Sequence, residues 1–126
     1  MVTPIYAALL ALLYIFLSLR VIRLRIAFKV GIGDGEQKQL TRAIRVQGNF
    51  GEYVPFALLL LWMYETMNGA PLLVHILGVL LCLGRVLHAY GVSQRRETLA
   101  FRQTGMVMTF LVMLICSACI LIKYFL

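Results

Sequence analysis

The chain has 126 residues, 62% of them hydrophobic and 13% charged, with a mean hydropathy of +0.91 and a formal charge of +7. A soluble domain of this length needs roughly a quarter of its residues charged to cover its surface. The composition therefore excludes a dissolved monomeric enzyme, a disordered tail and a DNA-binding module, and leaves an integral membrane protein. Cys82, Cys116 and Cys119 all lie in apolar runs, which argues against a secreted disulfide framework.

A membrane helix needs about 20 consecutive apolar residues to cross about 30 Å of hydrocarbon, and four segments predict one. The first, uncharged from Met1 to Leu19, predicts a span over about residues 2–23, with Thr3 as N-cap and Pro4 in the first turn. It lacks a basic n-region and a clear small-residue cleavage site, so it reads as a permanent span rather than a signal peptide. Gly31, Ile32, Gly33, Asp34 and Gly35 then read as a flexible turn. They follow no strand and lack the Lys-Ser/Thr ending of a phosphate-binding loop. The uncharged stretch Tyr53 to Tyr64 is too short to span alone, but a helix over about 40–67 crosses with a polar N-terminal extension. Asn68, Gly69 and Ala70 form a turn, a third span covers about 71–90, and a fourth covers about 102–123, ending at Lys123. The expected fold is an all-α, four-transmembrane-helix bundle forming one domain over residues 1–126.

Eleven of the twelve basic residues fall in two zones: Arg20, Arg23, Arg25, Lys29, Lys38, Arg42 and Arg45 around the first connection, and Arg85, Arg95, Arg96 and Arg102 around the third. Four spans put those connections on one side. The positive-inside rule then makes both cytoplasmic, with both termini and the Glu65–Pro71 turn opposite. A basic rim facing anionic lipid accounts for the net charge without a nucleic-acid partner.

Ionisable groups at membrane depth are costly, so the polar start of the second span is the most informative stretch. At about 100° per residue, Arg42, Arg45, Asn49 and Glu52 share one sector of roughly 80°, with Tyr53 beside it. Gln47 points away and needs a partner on another helix or subunit. Pro55 removes the backbone donor that would reach Gly51. Arg25, Arg85, His88, Tyr90 and Arg102 lie near the same membrane face, more cations than Glu52 neutralises, and a polyanionic ligand would balance them. Arg85 and His88, three apart, share a face, whereas Tyr90 points elsewhere unless the helix unwinds before Gly91. The alternative is a buried Arg45–Glu52 network that only fixes helix packing. His75, read as mid-span, is expected to hydrogen-bond a neighbouring helix; no spacing predicts a metal site, and Cys116 and Cys119 read as small packing residues.

The run Arg45-x-Gln47-x-Asn49-x-x-Glu52-Tyr53-x-Pro55 at the start of a second span resembles the signature of the membrane-associated proteins in eicosanoid and glutathione metabolism, the MAPEG family. It is closest in motif to the leukotriene-forming synthase and microsomal glutathione transferase branch, and Arg85-Val-Leu-His88-Ala-Tyr90-Gly91 resembles the family's third-helix motif. The resemblance covers essentially the whole chain. It implies a homotrimer of four-helix subunits with glutathione as co-substrate in clefts between subunits. It further implies that Arg25, Arg45, Gln47, Asn49, Glu52, Tyr53, His88 and Tyr90 contact glutathione, and that Arg102 stabilises its thiolate.

Elementary chemistry is consistent with that implication. Glutathione carries two carboxylates, one ammonium and a thiol, so bidentate arginines suit the first and Glu52 the second. A thiol titrating near about 8.5 is mostly protonated at neutral pH, and a nearby guanidinium favours the nucleophilic thiolate. Arg102 would act as an electrostatic stabiliser rather than a base. The second substrate would be a lipophilic electrophile or lipid hydroperoxide entering from membrane lipid. Two other readings compete: a non-catalytic lipid-binding or scaffolding relative of that family, and a small proton-coupled exporter built on Glu52.

Overall fold

The computed structural model describes residues 1–94, 96 and 99–126; Arg95, counted above in the second basic zone, lies outside them. Four helices follow in order: α1 (Thr3–Phe28), α2 (Lys38–Thr66), α3 (Pro71–Ser93) and α4 (Leu99–Phe125). They form an up-down-up-down bundle. At one end Arg20 Nη1 of α1 donates to Ser93 Oγ of α3 at 2.5 Å, and at the other Lys123 Nζ of α4 reaches the Asn68 carbonyl in the α2–α3 turn at 3.0 Å. Both basic connections thus share one end, and the termini share the other with the α2–α3 turn.

Thr3 is not the N-cap of α1. Val2 holds that position, and Thr3 and Pro4 are the first two helical residues. The reason is tertiary: the Glu65 carboxylate at the end of α2 accepts the N–H of Val2 and, at 2.9 Å, the N–H of Thr3, so another helix satisfies the first-turn donors. At its other end α1 continues to Phe28. Lys29 closes it in the left-handed region at φ 56°, and the Val30 N–H bonds back to the Arg25 carbonyl at 3.0 Å.

The Gly31–Gly35 stretch is a turn organised by Asp34. Its carboxylate accepts the Glu36 N–H at 3.0 Å and the Thr41 hydroxyl of α2 at 2.6 Å, while Gly33 and Gly35 take φ of +72° and +57°. These bonds hold the Asp34 carboxyl below its usual range. α2 then runs unbroken through Pro55 to Thr66. Asn68 turns the chain at φ 59°, and the Ala70 N–H donates to the Tyr64 hydroxyl at 3.1 Å. His75 belongs to the second turn of α3 rather than to mid-span, because α3 begins at Pro71; its Nδ1 meets the Tyr6 hydroxyl of α1 at 2.8 Å.

Among the described residues three helices, α1, α3 and α4, are long and apolar enough to cross a membrane. α2, with 29 residues, is about 43 Å long, but its first half is polar. Its buried positions Ala43, Val46, Phe50, Val54, Ala57 and Leu61 recur every three or four residues, so one stripe feeds the core. Leu10 and Leu17 of α1, Val74, Leu77 and Leu81 of α3, and Val112 and Cys116 of α4 complete that core, with Cys82 and Cys119 packed against it. α3 and α4 approach closely at Gly84 and Gly105, where the missing side chains let backbone meet backbone. Large apolar side chains such as Ile5, Leu9, Leu12 and Phe16 are exposed on the outside of the bundle. An outer surface of this kind suits lipid rather than water, and the protein is an all-α integral membrane protein.

Candidate functional site

The polar start of α2 opens into a hollow at the basic end of the bundle. Thr41, Arg42, Arg45 and Asn49 line it from α2, His88 and Val92 from α3, and Arg102 from the start of α4, around a volume of about 170 Å³. The α2 residues recur at helical spacing, and His88 and Val92 are one turn apart. Among the described residues that line it, three are arginines and none is Asp or Glu.

Beneath the hollow lies Arg85, which is 1% exposed. Its Nη2 donates to Asn49 Oδ1 at 2.6 Å and approaches His88 Nδ1 at 3.4 Å. A guanidinium has only donors, so Nδ1 is the acceptor in this contact. Nη1 contacts Met106 Sδ at 3.7 Å, and the guanidinium lies 5.7 Å from the centre of the Phe50 ring. Its Nε has no hydrogen-bond partner among the described residues. One buried arginine therefore ties two hollow-lining side chains to each other. Sequence reading counted Arg85 only as a nearby cation; its three-residue offset from His88 is the signal that placed both on the inner face of α3.

Of the residues nominated from sequence, the structure brings together Arg45, Asn49, His88 and Arg102. The others lie elsewhere in the single chain. Arg25 Nη1 donates to the carbonyls of Gly33 at 2.7 Å and Val30 at 3.3 Å, bracing the first connection. Gln47 donates to the Tyr14 hydroxyl of α1 at 3.1 Å, and the Tyr14 ring stacks on Phe50 at 5.3 Å. This supplies the partner on another helix that its outward direction required. Glu52 is exposed on α2, one turn beyond Asn49. Tyr53 packs edge-on against Phe110 of α4 at 5.4 Å. Because α3 stays helical past Gly91, Tyr90 points outward, 54% exposed, with its ring edge-on to Phe101 at 5.6 Å. Among the described residues no group of His, Cys, Asp and Glu could hold a metal.

A profile of the MAPEG family matches residues 3–122. The chain is also similar to inner membrane protein YecN of Escherichia coli strain K12, 42% identical over 116 residues that cover 91% of this chain and 86% of that protein. The YecN protein of E. coli O6:H1 strain CFT073 matches with the same identity and coverage. With a family match spanning nearly all four helices and a relative at that identity over most of both chains, the chain belongs to the MAPEG family of membrane proteins.

Proposed function

We propose that this protein is a glutathione-dependent membrane transferase or peroxidase of the leukotriene synthase and microsomal glutathione transferase kind. The observation that carries the reading is the convergence of Arg42, Arg45, Asn49, His88 and Arg102 on one hollow at the bundle's basic end, in a family that includes glutathione transferases. The donor set suits glutathione. Arg42 and Arg45 offer planar pairs of N–H groups to its carboxylates, Asn49 and His88 offer single hydrogen bonds, and Glu52 is the carboxylate that complements its ammonium.

Arg102 sets the charge at the thiol. A protonated guanidinium lowers the free energy of the thiolate relative to the thiol, raising the nucleophile's share at neutral pH. Arg85, by fixing Asn49 and His88, keeps two of the contacts in place before the ligand arrives. The lipophilic partner, an electrophile or lipid hydroperoxide, has an apolar approach. A groove of about 300 Å³ between α1 and α2 is lined by Leu10, Tyr14, Phe50, Val54, Pro55 and Leu58 among others, and it shares Phe50 with the packing beneath Arg85.

One chain does not complete the site. Its 170 Å³ hollow falls below the roughly 300 Å³ at which small-molecule pockets begin, and an exposed carboxylate such as Glu52 partway along a membrane helix requires protein against it. We assign the missing wall to a second copy within a homotrimer, and the two basic connections to the cytoplasmic side. Native mass spectrometry showing a stable dimer contradicts the trimer.

The deciding experiment is equilibrium binding of glutathione to the detergent-purified protein, followed by ultraviolet thiolate absorbance, for wild type and Arg102→Ala. Saturable binding with a thiolate signal that disappears in the variant supports catalysis. Binding without a thiolate moves the function to lipid presentation or scaffolding, and no binding refutes the reading.

A further inference from the structure

Arg42 also borders a second hollow that excludes Arg45, Asn49, His88 and Arg102. It is about 120 Å³ in volume and is lined by Arg20, Gln39, Arg42 and Ser93. Arg20 and Gln39 are shared with a third, of about 310 Å³, whose wall is Phe16, Leu19 and Leu24 and which carries Arg23. The two form one crevice between the last turns of α1, the start of α2 and the end of α3. Its inner part holds two guanidiniums, an amide and a hydroxyl, with Arg20 set in place by its 2.5 Å bond to Ser93 Oγ. Its outer part is apolar with a third guanidinium at the rim. Among the described residues lining either part there is no Asp or Glu.

We propose that this crevice binds the headgroup phosphate of an anionic phospholipid, at a site that adjoins the hollow assigned to glutathione and shares only Arg42 with it. A phosphate diester presents several acceptor oxygens and a negative charge, which arginine forks, a side-chain amide and a serine hydroxyl can all satisfy. The inner volume takes a group of that size. The adjoining wall of Phe16, Leu19 and Leu24 takes the start of an acyl chain, which a free phosphate does not have. Depth agrees: Arg20 lies about 26 Å along α1 from Thr3, close to the thickness of the hydrocarbon layer, so its guanidinium reaches headgroup level.

The test is native mass spectrometry of the purified full chain in detergent, titrated separately with phosphatidylglycerol, phosphatidylcholine and inorganic phosphate. The expected result is one saturable phosphatidylglycerol per chain, bound more tightly than phosphatidylcholine. Its affinity falls about fivefold in Arg20→Gln and about fivefold in Arg23→Gln, the usual worth of one interfacial cation. Arg96→Gln, which removes the same charge from an exposed position on the α3–α4 connection, leaves it unchanged. Arg23 is itself exposed and keeps the test valid if Arg20→Gln does not fold. Undiminished binding in Arg23→Gln, or an equal loss in Arg96→Gln, overturns the site. Inorganic phosphate binding as tightly as phosphatidylglycerol overturns the lipid assignment in favour of a soluble anion. None of these outcomes depends on whether glutathione binds.

Discussion

Replacing Gly105 with alanine tests the α3–α4 crossing that positions His88 and Arg102. An added Cβ at Gly105 would stand 2.7 Å from the His88 backbone nitrogen and 2.8 Å from His88 Cβ, and closer still to the Gly84 carbonyl oxygen. Ordinary contact begins near 3.4 Å, so the helices must part by roughly 0.7 Å or more, and two of the three obstructing atoms are backbone that cannot rotate aside. A radial gap of about 0.5–1 Å forfeits a quarter to a half of each dispersion contact across the interface. Overpacking costs about 1–3 kcal/mol, and rigid neighbours place Gly105→Ala at the upper end, near 3 kcal/mol. Gly84→Ala, whose Cβ would meet Met108 Cβ at 2.9 Å and the Gly105 carbonyl oxygen at 3.0 Å, should cost less because these overlaps are smaller than those at Gly105. Gly48→Ala is the opposite case. Nothing lies within 4 Å of its added Cβ, and the helix α2 gains about 0.5–1 kcal/mol from the lost flexibility of glycine. Unfolding in an SDS titration, followed by far-ultraviolet circular dichroism, measures all three. Equal destabilisation by Gly105→Ala and Gly48→Ala, or a cost below about 1 kcal/mol at Gly105, refutes the reasoning.

Three further predictions follow from other parts of the fold. Arg85→Met should leave stability within about 1 kcal/mol of wild type, because relief of the unpartnered Nε counterbalances the lost bond to Asn49. The same variant should weaken glutathione binding about tenfold, since Asn49 and His88 lose their common donor; thiolate absorbance reads this, and unaltered affinity with a large stability loss counts against it. Glu65→Gln should cost about 1 kcal/mol and raise amide hydrogen exchange at Val2 and Thr3, because a charged cap on the α1 N-terminus becomes neutral. The bonds from Thr41 and Glu36 hold the Asp34 carboxyl below its usual range when folded, so its contribution to the α1–α2 turn is present above the ordinary carboxylate range and is lost as the pH falls through the lower folded value. The protection factor of the Glu36 amide, its exchange rate normalised to the intrinsic rate at each pH, should therefore fall on acidification in wild type and show no such step in Asp34→Asn.

The helix count and the polar stripe were legible because both rest on local periodicity. A 100° step places Arg42, Arg45 and Asn49 on one face of α2, and all three reach the hollow. The same step directs Gln47 away, and it meets Tyr14 on α1. What was not legible depends on where distant segments end. Glu65 reads as a lone charge at a helix end until α1 is placed beside it. Arg25 follows an apolar span just as a ligand-binding arginine would, yet its guanidinium goes to two loop carbonyls created by the Gly31–Gly35 turn. The outward direction of Tyr90 hung on whether α3 unwinds before Gly91, and the tight contact of Gly91 with the Arg102 backbone nitrogen, 2.7 Å from an added Cβ, shows that α4 packs there against intact helix. The burial of Arg85 without a carboxylate among the described residues runs against the ordinary cost of desolvating a charge, and no periodicity announces it.

The Glu65 cap bears on the order in which the bundle matures during synthesis. α1 is made before α2, but the carboxylate that satisfies its opening amides lies 63 residues downstream of Val2. At about 5–20 residues per second, a ribosome needs roughly 3–13 s to supply it. For that interval the first turn of α1 must take its hydrogen bonds from interfacial water or lipid headgroups, and it locks only when α2 has crossed back. α1 is thus finished by α2, so the α1–α2 hairpin, rather than α1 alone, is the smallest unit whose N-terminal turn is closed by protein.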